Sequence, residues 1–302
     1  MKQAVVSFSI LITTKNRLDD LKITLKQIEG LLQRDDVECI ICDDGCTDGT
    51  SQYLEEYYGN VLLLKNKITK GLIFSRNRLL SITTADYAIT LDDDAHIVSD
   101  NPLDIIEDFF INNSKCAVIA CRIFWGKELP SNLTHTLVST RVKGFVGCGH
   151  VWRMDAWRTI DNYPDWFVFY GEEEFAGYQL FKTKWEIWYI PNILVQHRVD
   201  VKSRKKDKDY SVRLRRSLRA GWYLYFIFYP KKIITKKFIY TLWMQLKLKV
   251  FKGDFKALKA IVLAILDLII NVPKYVSTKK RLTLKEYQEF KALDDTKIYW
   301  KP

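Results

Sequence analysis

Two hydrophobic patterns alternate up to about residue 121, and this alternation constrains the fold more than any other feature of the sequence. Short apolar runs typical of β-strands are separated by segments in which apolar residues recur at helical spacing, as on one face of an α-helix. The strand-type runs are Val5–Thr13, Val37–Cys42, Val61–Leu64, Tyr87–Leu91 and Ala117–Cys121. Strands that alternate with helices predict an α/β fold with a mostly parallel sheet covered by helices.

The first, second and fourth of these strands run directly into polar groups. The groups are Thr13-Thr14-Lys15-Asn16, Asp43-Asp44-Gly45 and Asp92-Asp93-Asp94. In open α/β sheets, ligands bind just outside the carboxyl ends of the strands. We therefore expect a ligand pocket where these groups meet.

The triplet Asp92-Asp93-Asp94 needs a partner of opposite charge. Adjacent carboxylates repel, and each raises the pKa of its neighbours unless a cation neutralises them. Their hard oxygen ligands suit Mg²⁺ or Mn²⁺, which also bridge phosphate oxygens. A solvated acidic turn is the alternative, but the position at a strand end favours a metal site. For Asp43-Asp44-Gly45 a simple turn is the commoner explanation, although Asp44 at a strand end could accept hydrogen bonds from a nucleoside.

Two more candidates lie in the irregular, aromatic-rich stretch that follows. Glu172-Glu173-Glu174 comes after four aromatic residues, and a desolvated carboxylate has a raised pKa that suits a general base. The alternative, that acidic residues simply favour a helix N-terminus, is compatible with the first. His197 ends a strand-like segment, where an imidazole could complete a metal shell or serve a structural role.

The composition changes after His197. Lys202, Arg204, Lys205, Lys206 and Lys208 form a basic run, followed by more arginines and the apolar stretch Trp222–Tyr229. Basic clusters beside aromatic residues are typical of a helix in an anionic membrane interface, and the alternative is a packing helix with a solvated basic face. The net charge of +11 implies an acidic partner, but no reader module accompanies it, so nucleic acid is not expected.

The cysteines and the N-terminus bear on the compartment. Six scattered cysteines, with one CxxC at Cys39 and Cys42, do not make a zinc site, and they indicate reduced core thiols and a cytoplasmic protein. The first apolar run is too short to span a membrane and has no cleavage site. With the basic tail, this predicts a cytoplasmic protein, peripheral on the inner face of the cytoplasmic membrane.

Six segments in a fixed order carry a resemblance to a known family. They are Phe8–Arg17, Cys42–Thr50 (CDDGCTDGT), Gly71 with Ser75-Arg76-Asn77, Leu91–Asp94, Gly147–His150 and Tyr170–Glu173. Together they resemble the family 2 glycosyltransferases, inverting enzymes of GT-A fold, over residues 5–200. Cys46 stands where the family usually has serine, and Glu173 where aspartate is commoner.

The resemblance implies roles for individual residues. Thr13 and Asp44 would contact the base, Asp92 and Asp93 the ribose and sugar, and Asp94 and His197 the metal, Mn²⁺ or Mg²⁺. Glu173 would be the general base, with Glu172 as the rival. The full nucleotide-sugar-binding set is Thr13, Asn16, Asp43, Asp44, Arg76, Asp92 and Asp93.

The expected function is therefore a metal-dependent inverting transfer from a nucleotide diphosphate sugar, with a UDP-sugar favoured, to a glycan or lipid-linked acceptor. Synthesis of a cell-surface polysaccharide or O-antigen is the expected setting. Residues 1–199 would form the catalytic domain, with a nucleotide-binding part (1–121) and an acceptor-binding part (122–199), and residues 200–302 a helical basic region. The alternatives are a sugar-phosphate nucleotidyltransferase, which usually has a glycine-rich loop after its first strand, and a non-catalytic membrane-bound scaffold.

Overall fold

The computed structural model describes residues 7–199 and 209–301. Within these residues, nine strands form one sheet. The strands are β1 (Phe8–Thr14), β2 (Val37–Asp43), β3 (Leu62–Lys65), β4 (Tyr87–Asp92), β5 (Ala95–Ile97), β6 (Cys116–Trp125), β7 (Thr140–Val142), β8 (Gly149–Arg153) and β9 (Glu186–His197). Their order is β3-β2-β1-β4-β8-β6-β9-β5, and β7 pairs with β9.

The sheet has a parallel half and a mixed half. β1 lies between β2 and β4 and is parallel to both, as the alternating pattern predicts. β8 is antiparallel to β4 and β6, and the chain reaches it from β6 through a segment that contains no helix. Parallel neighbours need a long crossover connection, whereas antiparallel strands do not.

The register of the parallel half brings the predicted strand ends together. Thr13 is paired with Cys42 on one side and with Asp92 on the other. The polar groups that follow β1, β2 and β4 therefore leave the sheet at one edge, as expected for a ligand pocket in an α/β sheet.

Helices cover both faces of the sheet. Along β1, Phe8, Ile10 and Ile12 belong to one buried cluster and Leu11 to the other, because successive side chains of a strand point to opposite faces. The helices in the described residues are α1 (Leu18–Gln27), α2 (Glu29–Leu32), α3 (Thr50–Tyr57), α4 (Leu72–Ile82), α5 (Pro102–Asn112), α6 (Met154–Trp157), α7 (Glu172–Lys182), α8 (Tyr210–Phe228), α9 (Lys231–Leu248), α10 (Phe255–Ile270), α11 (Val272–Ser277) and α12 (Leu284–Ala292).

The apolar stretch Trp222–Tyr229 is part of the core. Trp222 and Phe228 of α8 are at most 1% exposed, and the Phe228 ring lies 5.3 Å from that of Phe175 and 4.9 Å from that of Tyr178, both on α7. This stretch is therefore a packing helix and does not lie at a membrane surface.

Much of the basic face of α8 is also occupied. Asp267, which interrupts the apolar run of α10, is buried and accepts hydrogen bonds from Arg215 at 2.6 and 2.7 Å and from Arg219 at 3.2 Å. These ion pairs fasten α8 to α10, because a buried carboxylate is tolerated only when it is paired. The predicted basic run from Lys202 to Lys208 lies outside the described residues.

None of the described helices is both long and apolar enough to cross a membrane.

Replacing Trp222 by alanine should lower the free energy of unfolding by about 3–5 kcal/mol, because a fully buried aromatic side chain leaves a cavity. Trp243→Ala is the matched control, since Trp243 is 52% exposed, and it should change stability by less than about 1 kcal/mol. Urea denaturation without lipid measures both. Equal midpoints for wild type and Trp222→Ala would contradict the packing described for α8.

Candidate active site

Two adjoining cavities open at the carboxyl edge of β1, β2 and β4. The smaller has a volume of about 450 Å³ and the larger about 720 Å³. Leu72, Asp92, Phe169 and His197 line both. The cavities are therefore two compartments of one site, and Asp92 and His197 stand at their boundary.

A tight turn places the aspartate triplet against His197. Asp92 ends β4, Asp93 and Asp94 form the turn, and β5 then runs back beside β9, with Ala95 paired to His197. As a result, His197 Nε2 lies 3.0 Å from Asp94 Oδ1 and 3.9 Å from Asp92 Oδ2. One ligand atom from each of the three residues lies within 4.8 Å of the others.

This cluster has the donor atoms of a divalent cation site. Asp94 Oδ1 is buried, and no donor among the described residues is aligned to hydrogen-bond with it, even though His197 Nε2 is close. Because a carboxylate oxygen presents only lone pairs, an imidazole nitrogen 3.0 Å away must be joined to it through a proton or a metal ion. Two carboxylates and one imidazole fit Mn²⁺ or Mg²⁺. Asp94 and His197 were predicted from the sequence as ligands, and Asp92 lies in the same cluster.

Arg17 faces the same triplet and was not among the predicted site residues. Its guanidinium lies 2.9 Å from Asp93 Oδ1 and 2.7 Å from Asp94 Oδ2. Burial raises the pKa of Asp93 to about 7 despite Arg17. Burial acts in the same direction on Asp94, but His197 and Arg17 outweigh it and hold the pKa of Asp94 well below its usual range. The available signal was the position of Arg17 just after the end of β1.

Arg76 connects the two compartments. It extends from α4 with 4% of its side chain exposed, and it donates to Asp92 Oδ1 at 2.7 Å and to Glu172 Oε1 at 2.9 Å. Glu173 Oε1 lies 3.9 Å from the guanidinium. Burial alone would lower the pKa of Arg76, but these three carboxylates outweigh it and raise that pKa. Arg76 is therefore a fixed positive charge.

Glu172, Glu173 and Glu174 form the first turn of α7, so they do lie at a helix N-terminus. Glu172 is 2% exposed, whereas the side chain of Glu173 is 21% exposed at the larger cavity. Burial and then the neighbouring Glu173 charge raise the pKa of Glu172, and burial raises that of Glu173. Glu172 is held by Arg76, and Glu173 is the more accessible carboxylate.

The loop before α7 forms the wall between the compartments. Val168 and Tyr170 both have φ near +72°, as the backbone turns around Phe169, which lines both cavities. Such left-handed conformations are costly for residues other than glycine and concentrate at functional sites. In the sequence these aromatic residues stood out only as neighbours of the glutamates, and a wall between two compartments was not predicted.

The remaining predicted nucleotide contacts divide into two groups. Thr13 and Asp44 line the smaller cavity, and Asp44 accepts hydrogen bonds from the backbone of Lys70 at 2.7 Å and Gly71 at 2.9 Å.

Asp43 and Asn16 are engaged beside the cavity and are not among the residues that line it. Asp43 accepts from Cys46 N and Ser51 Oγ, and Asn16 accepts from Thr47 N at 2.7 Å. Both shape the turn after β2.

Residues from the C-terminal region complete the walls. Arg216 of α8 lines the smaller cavity, and Arg213 lines the larger cavity together with Thr296 and Ile298. None of these was predicted, because only tertiary packing brings them to the site. α8 packs on α7, and the bridges Val142–Asp294 and Phe124–Trp300 hold the segment that carries Thr296 and Ile298.

Together, the mixed sheet and the acidic cluster at its carboxyl edge have the arrangement of the GT-A glycosyltransferase fold. The model of glycosyl transferase family 2 matches residues 9–179. The chain belongs to this family, which confirms the resemblance seen in the sequence. A relative described as a glycosyltransferase, EpsE of Bacillus subtilis (strain 168), is 39% identical over 75 residues; the match covers 23% of this chain and 27% of EpsE.

Solved structures show the same fold. The match to GalNAc-T7 with UDP, GalNAc and Mn²⁺ has a TM-score of 0.61 at 12% identity. It covers 89% of this chain and 58% of the GalNAc-T7 chain. The match to the mannosyltransferase PcManGT from Pyrobaculum calidifontis, with GDP-Man and Mn²⁺, has a TM-score of 0.55 at 13% identity. It covers 94% of this chain and 78% of the PcManGT chain. The match to TarS 1–349 of S. aureus with UDP has a TM-score of 0.51 at 15% identity and covers 72% of this chain and 65% of the TarS chain.

Replacing Gly147 by alanine should disrupt the Arg76 ion pairs, because the new methyl group would overlap Glu173 Oε1 and lie 2.5 Å from Arg76 Nη1. We expect a loss of stability of about 1–3 kcal/mol, as for other overpacked buried sites, measured by thermal unfolding. Gly30→Ala is the control, since a Cβ there meets nothing within 4 Å. An unchanged melting temperature for Gly147→Ala would show that the guanidinium is not confined as described.

Proposed function

We propose that this protein is a metal-dependent inverting glycosyltransferase that moves a sugar from a nucleotide diphosphate sugar to an acceptor hydroxyl. The observation that carries the proposal is the pair of adjoining cavities, with an Asp92–Asp94–His197 cluster at their boundary and Glu173 in the larger one. This reaction has two requirements. A cation site stabilises the leaving group, and an accessible carboxylate in the adjoining pocket activates the acceptor.

The smaller cavity is proposed as the donor site. Thr13 and Asp44 line this cavity and would contact the base, and Asp92 and Asp93 line it beside the cation cluster and would hold ribose and sugar. A UDP-sugar is favoured, since GalNAc-T7 and TarS were solved with UDP, although PcManGT was solved with GDP-Man. Asn16 and Asp43 would act by shaping the turn beside this cavity.

The larger cavity is proposed as the acceptor site, with Glu173 as the general base. An acceptor hydroxyl there would lose its proton to Glu173 while its oxygen attacks the anomeric carbon from the side opposite the diphosphate. Arg76 would hold Asp92 and Glu172 in place, since it bonds to both. When bound, Mn²⁺ or Mg²⁺ neutralises charge that develops on the leaving diphosphate. Asp94, His197 and Asp92 would hold it.

We infer a glycan or lipid-linked acceptor and a role in the synthesis of a cell-surface polysaccharide or O-antigen, in the cytoplasm and in peripheral contact with anionic membrane. The net charge of +11 supports an anionic surface as partner. In this proposal residues 1–121 bind the nucleotide, residues 122–199 bind the acceptor, and residues 200–302 form the region that meets the membrane.

Removing the proposed metal ligand should abolish metal-dependent nucleotide binding. For the wild type with Mn²⁺, UDP should raise the melting temperature more than GDP or TDP, because stabilisation grows with ligand concentration over Kd and reaches about 2.7 kcal/mol at a hundredfold excess. Asp94→Ala should lose this Mn²⁺-dependent rise. Asp104→Ala, at an exposed carboxylate on α5, is the control. If UDP still raised the melting temperature of Asp94→Ala as much as that of the wild type, the assignment of Asp94 as a metal ligand would be wrong.

Removing the proposed base should leave donor binding intact and slow turnover. In Glu173→Gln, metal-dependent release of UDP from a UDP-sugar should fall about 10²–10⁴-fold, the usual contribution of a general base. Glu107→Gln, at an exposed carboxylate on α5 that lines neither cavity, is the control. Normal turnover in Glu173→Gln with loss in Glu172→Gln would give the role to Glu172.

The same base predicts a pH dependence. A general base must be ionised, and burial raises the pKa of Glu173 above the ordinary 4.5. The wild-type rate should therefore fall with decreasing pH through a midpoint above 4.5, and this limb should be absent in the residual activity of Glu173→Gln.

A further inference from the structure

The outer surface of α9 and α10 carries a band of exposed apolar side chains. The two helices are joined through a 3₁₀ turn at Val250–Lys252, and all three elements contact one another. The Trp243 ring of α9 and the Phe251 ring of the turn meet edge to face at 5.8 Å. We call this surface the α9–α10 face. It comprises Ile239, Tyr240, Trp243, Leu248, Phe251, Phe255, Leu258, Val262, Leu266, Ile269 and Ile270, each between 37% and 77% exposed.

α10 shows most clearly that this surface is unusual. Its inner side, with Ala260, Ala264 and Leu268, is buried against the rest of the protein. On a helix that merely covers a core, the opposite side is polar. Here the opposite side repeats Phe255, Leu258, Val262, Leu266 and Ile269 at spacings of three and four. The helix therefore has a second apolar face, for which the fold supplies no cover among the described residues.

The charges around the face have one sign. Residues 231–280 contain twelve lysines and two acidic residues, Asp254 and Asp267. Both acidic residues are already engaged: Asp254 caps α10 and accepts from Tyr210, and Asp267 binds two arginines of α8. The lysines near the exposed rings, among them Lys252, Lys256 and Lys259, are at the surface.

We infer that the α9–α10 face inserts into the headgroup region of an anionic lipid bilayer, with the helices lying in the plane of the membrane. An apolar band edged by lysines matches such a surface, because the aliphatic side chains enter the acyl boundary while the ammonium groups reach lipid phosphates. Trp243 and Tyr240 are of the residue types that sit at headgroup level. A second copy of the chain is a poorer occupant, since it would bring lysines against lysines.

The surface that contacts lipid differs from the one that the sequence suggested. Trp222–Tyr229 is apolar and flanked by basic residues, but it is buried, whereas α9 and α10 expose their apolar sides. α8 separates the two environments: Tyr223 donates to Asp267 O of α10 at 3.1 Å, and Ser217 and Gly221 line the larger cavity. The bilayer surface and the proposed acceptor cavity would thus lie on different sides of this helix.

Vesicle binding by the full chain tests the inference. Co-sedimentation is measured with vesicles of phosphatidylcholine alone and of phosphatidylcholine with phosphatidylglycerol. Val262→Ser with Ile269→Ser removes apolar contact at residues 48% and 62% exposed. Ile23→Ser with Ile111→Ser, on α1 and α5, is the matched control at 46% and 65% exposed.

A second pair of variants tests the charge. Lys252→Gln, Lys256→Gln and Lys259→Gln are combined, and the control combines Lys26→Gln, Lys115→Gln and Lys127→Gln, which are also exposed. Both triple variants lose the same formal charge, so a difference between them reports position.

The wild type should bind the anionic vesicles, and less at high salt, because exposed charges are screened. The apolar variant should bind about tenfold or more weakly, as expected for two aliphatic side chains that no longer enter lipid. The lysine variant should bind anionic vesicles about a hundredfold more weakly, because each of the three lysines near the surface adds electrostatic attraction to anionic lipid. Both controls should bind like the wild type.

Three results would overturn the inference. The first is a wild type that does not bind anionic vesicles, and the second is an equal loss of binding in the variants and their controls. The third is an apolar variant that binds lipid normally but has a changed oligomeric state in analytical ultracentrifugation.

The inference gives the proposed membrane contact a defined surface but does not depend on the proposed chemistry. Asp94→Ala should bind vesicles normally, and the surface variants should keep the Mn²⁺-dependent response to UDP, so the two proposals can fail separately.

Discussion

The candidate site depends on one buried guanidinium. Arg76 bonds to Asp92 beside the proposed cation site and to Glu172 at the proposed acceptor cavity, with Glu173 close by. Burying these charges without one another would cost several kcal/mol each, so the arginine and the carboxylates must be buried together. The pairing ties the end of β4 to the start of α7, which are far apart in the sequence. It also explains a glycine at position 147, where any side chain would occupy the space of the guanidinium.

The parallel half of the fold and the location of the site could be predicted because both follow from local patterns. Alternating strands and helices imply parallel neighbours, and parallel neighbours must release their C-terminal residues at the same edge. Thr13 is paired with Cys42 and with Asp92, so the ends of β1, β2 and β4 do meet at one edge. The family resemblance added candidate roles that spacing alone does not supply, such as that of Glu173.

Other parts of the site depend on contacts between distant segments and leave no local signal. His197 reaches Asp94 only because β5 turns back to pair with β9. Arg17 and the wall at Phe169 likewise become part of the site through packing. The same limit applies to the tail: Trp222 and Trp243 both lie in apolar, basic surroundings in the sequence, and only the packing of α8 shows that Trp222 is buried while Trp243 is exposed.

The positive net charge also separates into two physical roles once the contacts are known. Around the site, arginines are matched by carboxylates: Arg17 faces Asp93 and Asp94, and Arg76 lies among three acidic groups. In residues 231–280 the lysines outnumber acids that are themselves already paired. The first set of charges organises a pocket that still has room for a divalent cation, while the second remains available to an external anionic surface. The net charge of +11 therefore includes an internally balanced pocket and a basic face in residues 231–280, and of these two only the basic face is suited to a large anionic partner.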